Sequence, residues 1–228
     1  MIFEKLVNEK FATFENKVLK FSDHVKTLDH YLFPTNEFTV DDPNCDKIDF
    51  NNVDTSLVEI YIGHGVQEVN FGKLKRIDKA LTIRNTQLSE VIFKNLIDAT
   101  DIFIENNQTL SKIEFKKKFH ATSMIVVSKT MVRTIDLSNL IYDDKKHFIY
   151  IHENWILDNI ILSNALLNLF SIKNNNIKTI KFSNTPIYDF VADSDTLKSS
   201  IKYTGKCRIY HGLYDDKENQ IIEGAFDL

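Results

Sequence analysis

The feature that most constrains this chain is a repeat. The stretch ALTIRNTQLSEVIFKNL, Ala80 to Leu96, alternates apolar and polar residues, breaks at Asn85 and alternates again. The stretch DIFIENNQTLSKIEF repeats the rhythm one unit later. The alternating pair Leu81 and Ile83 has counterparts at Ile60 and Ile62, Ile102 and Ile104, Ile125 and Val127, Ile149 and Ile151, and Phe170 and Ile172. The steps between first members are 21, 21, 23, 24 and 21 residues. A second pair follows each time: Val69 and Phe71, Val91 and Phe93, Ile113 and Phe115, Ile135 and Leu137, Ile160 and Leu162, Ile180 and Phe182. A large apolar residue stands three positions before each second pair: Val66, Leu88, Leu110, Val132, Leu157 and Ile177.

Alternation places each pair on one face of a short strand. Two short strands in about 22 residues make one solenoid coil, and a coil cannot bury its own apolar face. Coils must therefore stack, with their inward residues in continuous columns. Asn85, Asn106, Asn154 and Asn174 recur near one corner. Asparagine tolerates left-handed backbone, and its amide satisfies turn groups, so these residues read as structural. Gly63-His64-Gly65 falls at the same corner and reads as a tight turn. The expected architecture is mainly β: a parallel β-solenoid of about six coils.

The segments LTIRNTQLSEVIFKNL and IFIENNQTLSKIEFKKKF resemble the repeat of receptor L domains, within the broader leucine-rich-repeat-like solenoids. The shared pattern is L-x-I-x-N followed by L-x-x-[IV]-x-F, over residues 48 to 190. The resemblance implies a right-handed parallel β-solenoid that presents a surface to ligands.

The two ends read differently. Val7, Phe11, Phe14, Val18, Phe21, Val25, Leu28 and Leu32 recur at steps of four and three, an amphipathic helical spacing. Residues 1–33 are accordingly expected as a helical N-terminal cap over the open solenoid end. The alternative is a helix that pairs two copies into a homodimer. PTNEFTVDDPNCDK, residues 34–47, reads as a linker. Residues 48–192 form the repeat region and 193–228 a C-terminal cap, with CRIYHGLY and ENQIIEGAF as its strands.

Functional readings start from what is missing. No P-loop, dinucleotide glycine pattern, H-E-x-x-H or G-x-S-x-G occurs. Cys45 and Cys207 form no C-x-x-C pair, so no zinc or redox site is expected. No cofactor or metal is implied. The acidic pairs Asp41-Asp42, Asp143-Asp144 and Asp215-Asp216 lack calcium-loop spacing and read as solvated turns. A formal net charge of −4 argues against a dedicated nucleic-acid binder, and Lys116-Lys117-Lys118 reads as a solubilising run. The start of the chain carries no unbroken apolar leader, and the greasiest run is cut by Asp158, Asn159, Asn164 and Asn168. The chain therefore reads as a cytoplasmic protein with no membrane span.

What remains is surface. Tyr61, Thr82, Phe103, Val126, Tyr150 and Ser171 lie between the inward anchors and should form one exposed ladder. Gly63, Arg84, Glu105, Ser128, His152 and Lys173 form the next column, its polar rim. Apolar and aromatic side chains in such a row exceed what solubility asks for. The first expectation is a non-enzymatic scaffold that binds a protein through Tyr61, Thr82, Phe103, Val126, Tyr150 and His152. A second is carbohydrate binding, with the same aromatics stacking on sugar rings. A third is a glycoside hydrolase using Glu114 and Asp136, which would be neighbours on stacked coils, about 5 Å apart.

Overall fold

The computed structural model describes residues 2–141, 147–173, 175–193, 200–204, 208–214, 220–223 and 226–227. The chain winds into a parallel β-solenoid of about seven turns with a spacing near 22 residues. Each turn contributes to two walls. The long wall is, among the described residues, one 13-stranded sheet that includes Glu59–Ile62, Arg76–Arg84, Asp98–Asn107, His120–Thr130, Phe148–His152, Leu167–Lys173 and Ile187–Ala192. Among the described residues the short wall is divided into three sheets. The first contains Lys47–Asp49 and Glu68–Asn70, the second Glu90–Phe93 and Lys112–Phe115, and the third Thr134–Leu137, Asn159–Ser163, Thr179–Ser183 and Ser200–Thr204.

The register follows the sequence anchors. Ile60 pairs with Leu81, Leu81 with Ile102, Ile102 with Ile125, Ile125 with Ile149 and Ile149 with Phe170. Inward columns result, because every coil repeats the alternation in the same phase. Ile83, Ile104, Val127, Ile151 and Ile172 are buried in one column. Phe71, Phe93, Phe115, Leu137, Leu162 and Phe182 are buried in another. The phenyl rings of the second column stack along the axis. Ring centroids lie 5.9 Å apart for Phe50 and Phe71, then 4.8 Å for Phe71 and Phe93 and 4.8 Å for Phe93 and Phe115.

The third column runs Val66, Leu88, Leu110, Val132, Leu157 and Ile177, all buried. Cys45 stands one repeat before Val66 and is equally buried, so it packs as a small apolar residue. Burial pushes its thiol up to about 11. In a Cys207→Ser background, Cys45 is expected to resist alkylation by iodoacetamide at neutral pH until the chain is unfolded in urea. Rapid labelling of the native protein, followed by mass spectrometry, would contradict this packing.

Two different columns build the corner after the long wall. Asn85, Asn106, Lys129 and Glu153 occupy left-handed backbone, with φ of 56°, 52°, 53° and 56°. The next position is a buried column of Thr86, Asn107, Thr130, Asn154 and Asn175. Each asparagine of that column reaches back one coil. Asn107 Oδ1 accepts from Thr86 N at 2.9 Å and its Nδ2 donates to Ile83 O at 2.9 Å. Asn154 Oδ1 accepts from Thr130 N at 3.1 Å and its Nδ2 donates to Val127 O at 3.0 Å. Asn154 therefore belongs one position later than Asn85 and Asn106, against the single column expected from sequence; Asn174 lies outside the described residues. At Gly65, φ is 96° and a Cβ would stand 2.4 Å from Asp42 O, so the tight turn is confirmed.

The N-terminal segment differs most from its sequence reading. The helix covers only Ile2–Asn8, with Leu6 buried. Ala12–Glu15 and Val18–Phe21 form an antiparallel hairpin, and Val18–Phe21 pairs in parallel with Lys47–Asp49. Glu37–Val40, inside the expected linker, pairs in parallel with Glu59–Ile62 and buries Phe38 and Val40. The 7–32 helix that would have capped the solenoid or paired two copies is thus replaced by the end of a short helix, three short strands and tight turns. Lys10, Asn16 and Lys17 have φ of 62°, 50° and 64°, which no helix accommodates. The steps of three and four arise because short strands joined by tight corners also return a residue to the core at that spacing.

At the other end Gln220–Glu223 and Phe226–Asp227 pair antiparallel with Arg208–Tyr214. The chain reverses there, as strands expected in CRIYHGLY and ENQIIEGAF allow. Cys207 lies outside the described residues.

Candidate functional site

The outward ladder forms in the expected register. Tyr61 pairs with Thr82, Thr82 with Phe103, Phe103 with Val126, Val126 with Tyr150 and Tyr150 with Ser171. Its exposure is smaller than expected. Tyr61, Thr82, Phe103, Val126 and Tyr150 are half-buried, and Ser171 is only 3% exposed. Neighbours on stacked rungs shield one another at this spacing. Tyr61 lies flat rather than projecting: a Cβ on Gly63 would meet its ring carbon Cε1 at 2.7 Å and Asp41 Oδ1 at 2.5 Å. Glycine at that position makes room for the ring.

His152 stands in the adjoining column, half-buried beside Tyr150 with ring centroids 5.8 Å apart. Its Nε2 lies 3.0 Å from Ser171 Oγ. Burial, then the Lys173 ammonium, hold the imidazole below its ordinary value of 6.5; Glu153 and Asp193 act the other way. The unfolded chain therefore takes up this proton before the folded one does. The contribution of His152 to stability is complete above about pH 6.5 and declines as pH falls from there through its folded value. Urea midpoints between about pH 7.5 and 5 are expected to drop more steeply for the wild type than for His152→Gln. Parallel profiles would show that His152 is not desolvated.

A second apolar row lies on the same wall and was missed from sequence. Met124 pairs with Phe148 and Phe148 with Leu169, directly beside Val126, Tyr150 and Ser171. All three are half-buried. Each stands two residues before a ladder position, so the same alternation points it outward. Alternation therefore implies this row as well as the ladder. Met124, Phe148, Leu169, Phe103, Val126 and Tyr150 thus form a two-row apolar patch over four consecutive coils. Asp101, between Ala80 and Met124 in that second row, has a buried Oδ1 with no hydrogen-bond partner. Around the corner, Met131 and Trp155 are 40% and 69% exposed at equivalent positions of successive coils.

Glu114 and Asp136 lie on packed successive coils, but no ladder hydrogen bonds join their strands. Their strands, Lys112–Phe115 and Thr134–Leu137, belong to separate sheets. Glu114 is ion-paired with Lys116 and with Lys112, the latter at 3.0 Å. These cations hold its carboxyl below the ordinary range, the wrong direction for a general acid. Asp136 is exposed, and its Oδ1 accepts from Ser138 N at 2.9 Å. A cleft of about 640 Å³ lies elsewhere on the short wall, between Glu68–Asn70 and Glu90–Phe93, where two sheets part.

No family model, curated protein or solved structure matches this chain.

Proposed function

We propose that this protein is a non-enzymatic interaction module that binds another protein through the outward face of its long wall. The observation that carries the reading is the two-row apolar patch of Met124, Phe148 and Leu169 beside Phe103, Val126 and Tyr150. A rigid parallel sheet gains nothing in its own core from apolar side chains on its outer surface. Contiguous patches of this kind mark interfaces on soluble proteins. Aromatic and methionine side chains are also those enriched at interface centres. Tyr61, Thr82 and His152 border the patch and supply polar contacts, and Met131 and Trp155 continue it around the corner. The resemblance of the repeat to receptor L domains supports the same reading, since that family presents a solenoid face to its ligands.

The test is affinity capture from the native cell with wild type and with a Phe103→Ser, Phe148→Ser, Tyr150→Ser variant. Partners recovered by the wild type are expected to fall at least about tenfold in the variant. Circular dichroism must show the variant folded. Equal recovery by a folded variant removes this face from consideration.

A further inference from the structure

A second surface emerges where the short wall turns back to the long wall. Three successive corners stack there: residues 72–76, 94–98 and 116–120. Asn95 Nδ2 donates to Gly72 O at 2.7 Å, and Ile97 N donates to Lys75 O at 2.9 Å. Lys116 N donates to Phe93 O at 3.0 Å, and His120 N donates to Ile97 O at 3.0 Å. These bonds fix the three corners as adjacent rungs of one ridge.

The ridge is strongly basic in an acidic protein. Its three corners hold Lys73, Lys75, Arg76, Lys94, Lys116, Lys117 and Lys118 against one carboxylate, Asp98. All seven cations are exposed. Lys75 is 3.7 Å from Asp54, Arg76 pairs with Asp78 and Lys116 with Glu114. Lys73, Lys94, Lys117 and Lys118 have no ion pair among the described residues. Stacking like charges on rungs about 4.8 Å apart is unfavourable. Corner geometry does not demand it either. The same corner is built from Asn51, Asn52, Val53 and Asp54 before the ridge and from Ser138, Asn139, Leu140 and Ile141 after it. The cations are therefore a local choice that costs the fold stability.

Two details narrow the partner. Ile97, on the middle corner, is 46% exposed in the midst of the cations. A bare phosphate backbone offers nothing to such a side chain. Of the two aromatic rings in the three corners, Phe119 is fully buried and His120 half-buried, so the ridge offers no open ring for base stacking.

We propose that this ridge binds an acidic polypeptide segment that carries an aliphatic residue among its carboxylates. The carboxylates neutralise Lys73, Lys94, Lys117 and Lys118, and the aliphatic residue covers Ile97. This site is separate from the apolar face of the long wall and does not depend on it.

The probe is a fluorescein-labelled peptide of glutamates around two central leucines, titrated with the whole protein by anisotropy. At about 50 mM salt it is expected to bind saturably, and at about 300 mM at least about tenfold more weakly. Lys94→Glu, Lys117→Glu, Lys118→Glu should abolish binding; the corresponding glutamine variant, should the charge reversal misfold, should weaken it about tenfold. Ile97→Ser should weaken it about threefold. The Phe103→Ser, Phe148→Ser, Tyr150→Ser variant should bind the peptide as the wild type does. Absence of saturable binding, or equal binding by the folded glutamine variant, overturns the proposal. So does tighter binding of a single-stranded oligonucleotide or of phosphatidylserine vesicles than of the peptide.

Discussion

Replacing Phe93 by alanine is expected to destabilise the protein by about 3 to 5 kcal/mol. Phe93 is 1% exposed, and its ring sits between those of Phe71 and Phe115, 4.8 Å away on each side. Truncation removes apolar burial and two ring–ring contacts at once. The cavity left behind cannot close easily, because rung spacing is fixed by the hydrogen bonds of the long wall on the opposite side. Equilibrium urea unfolding measures the effect. A loss below about 1 kcal/mol would place Phe93 on the outside and shift the register of the short wall by one residue.

A comparable loss, about 3 to 5 kcal/mol, is expected for Asn154→Leu, although leucine is the more apolar residue. The Asn154 side chain accepts from Thr130 N and Thr130 Oγ1 and donates to Val127 O, His152 O and Asn175 Oδ1. It is 0% exposed, so water cannot replace these bonds. Leucine would leave several buried polar groups unmatched, each costing about 1 to 3 kcal/mol before relaxation. The same substitution at Asn85 or Asn106 acts by another route, since there the issue is left-handed backbone. Thermal unfolding of the Asn154 variant beside Asn85→Ala separates the two kinds of corner residue. A stability equal to wild type for Asn154→Leu would refute the buried amide column.

The repeat region was legible because three physical demands coincide there. Alternation, rung spacing and apolar columns all point to one register, and Ile83, Phe93 and Leu88 each occupy the column their sequence position implies. The N-terminal region was not legible because one of those demands was read alone. Apolar spacing suggested a helix, but Asn16-Lys17 separates two short runs, ATFE and VLKF, as a hairpin turn does. The turn chemistry outweighed the spacing. For the candidate face, Phe103, Val126 and Tyr150 could be read from alternation, and Phe148 and Met124 could have been. The basic ridge could not: Lys73 and Lys94 become neighbours of Lys117 only when three coils stack. Neither could the fate of Glu114, whose lysine partners lie within two residues of it but whose strand is parted from that of Asp136 by the break in the short wall.

That break has a mechanical meaning. A tube with one seamless side and one jointed side does not bend equally in all directions. Under sideways load the joints between Glu68–Asn70 and Glu90–Phe93, and between Lys112–Phe115 and Thr134–Leu137, which lack ladder hydrogen bonds, are expected to give before the seamless side stretches. Distances among Phe103, Tyr150 and Leu169 are therefore expected to change less under load than separations between the outer strands that face each other across the joints.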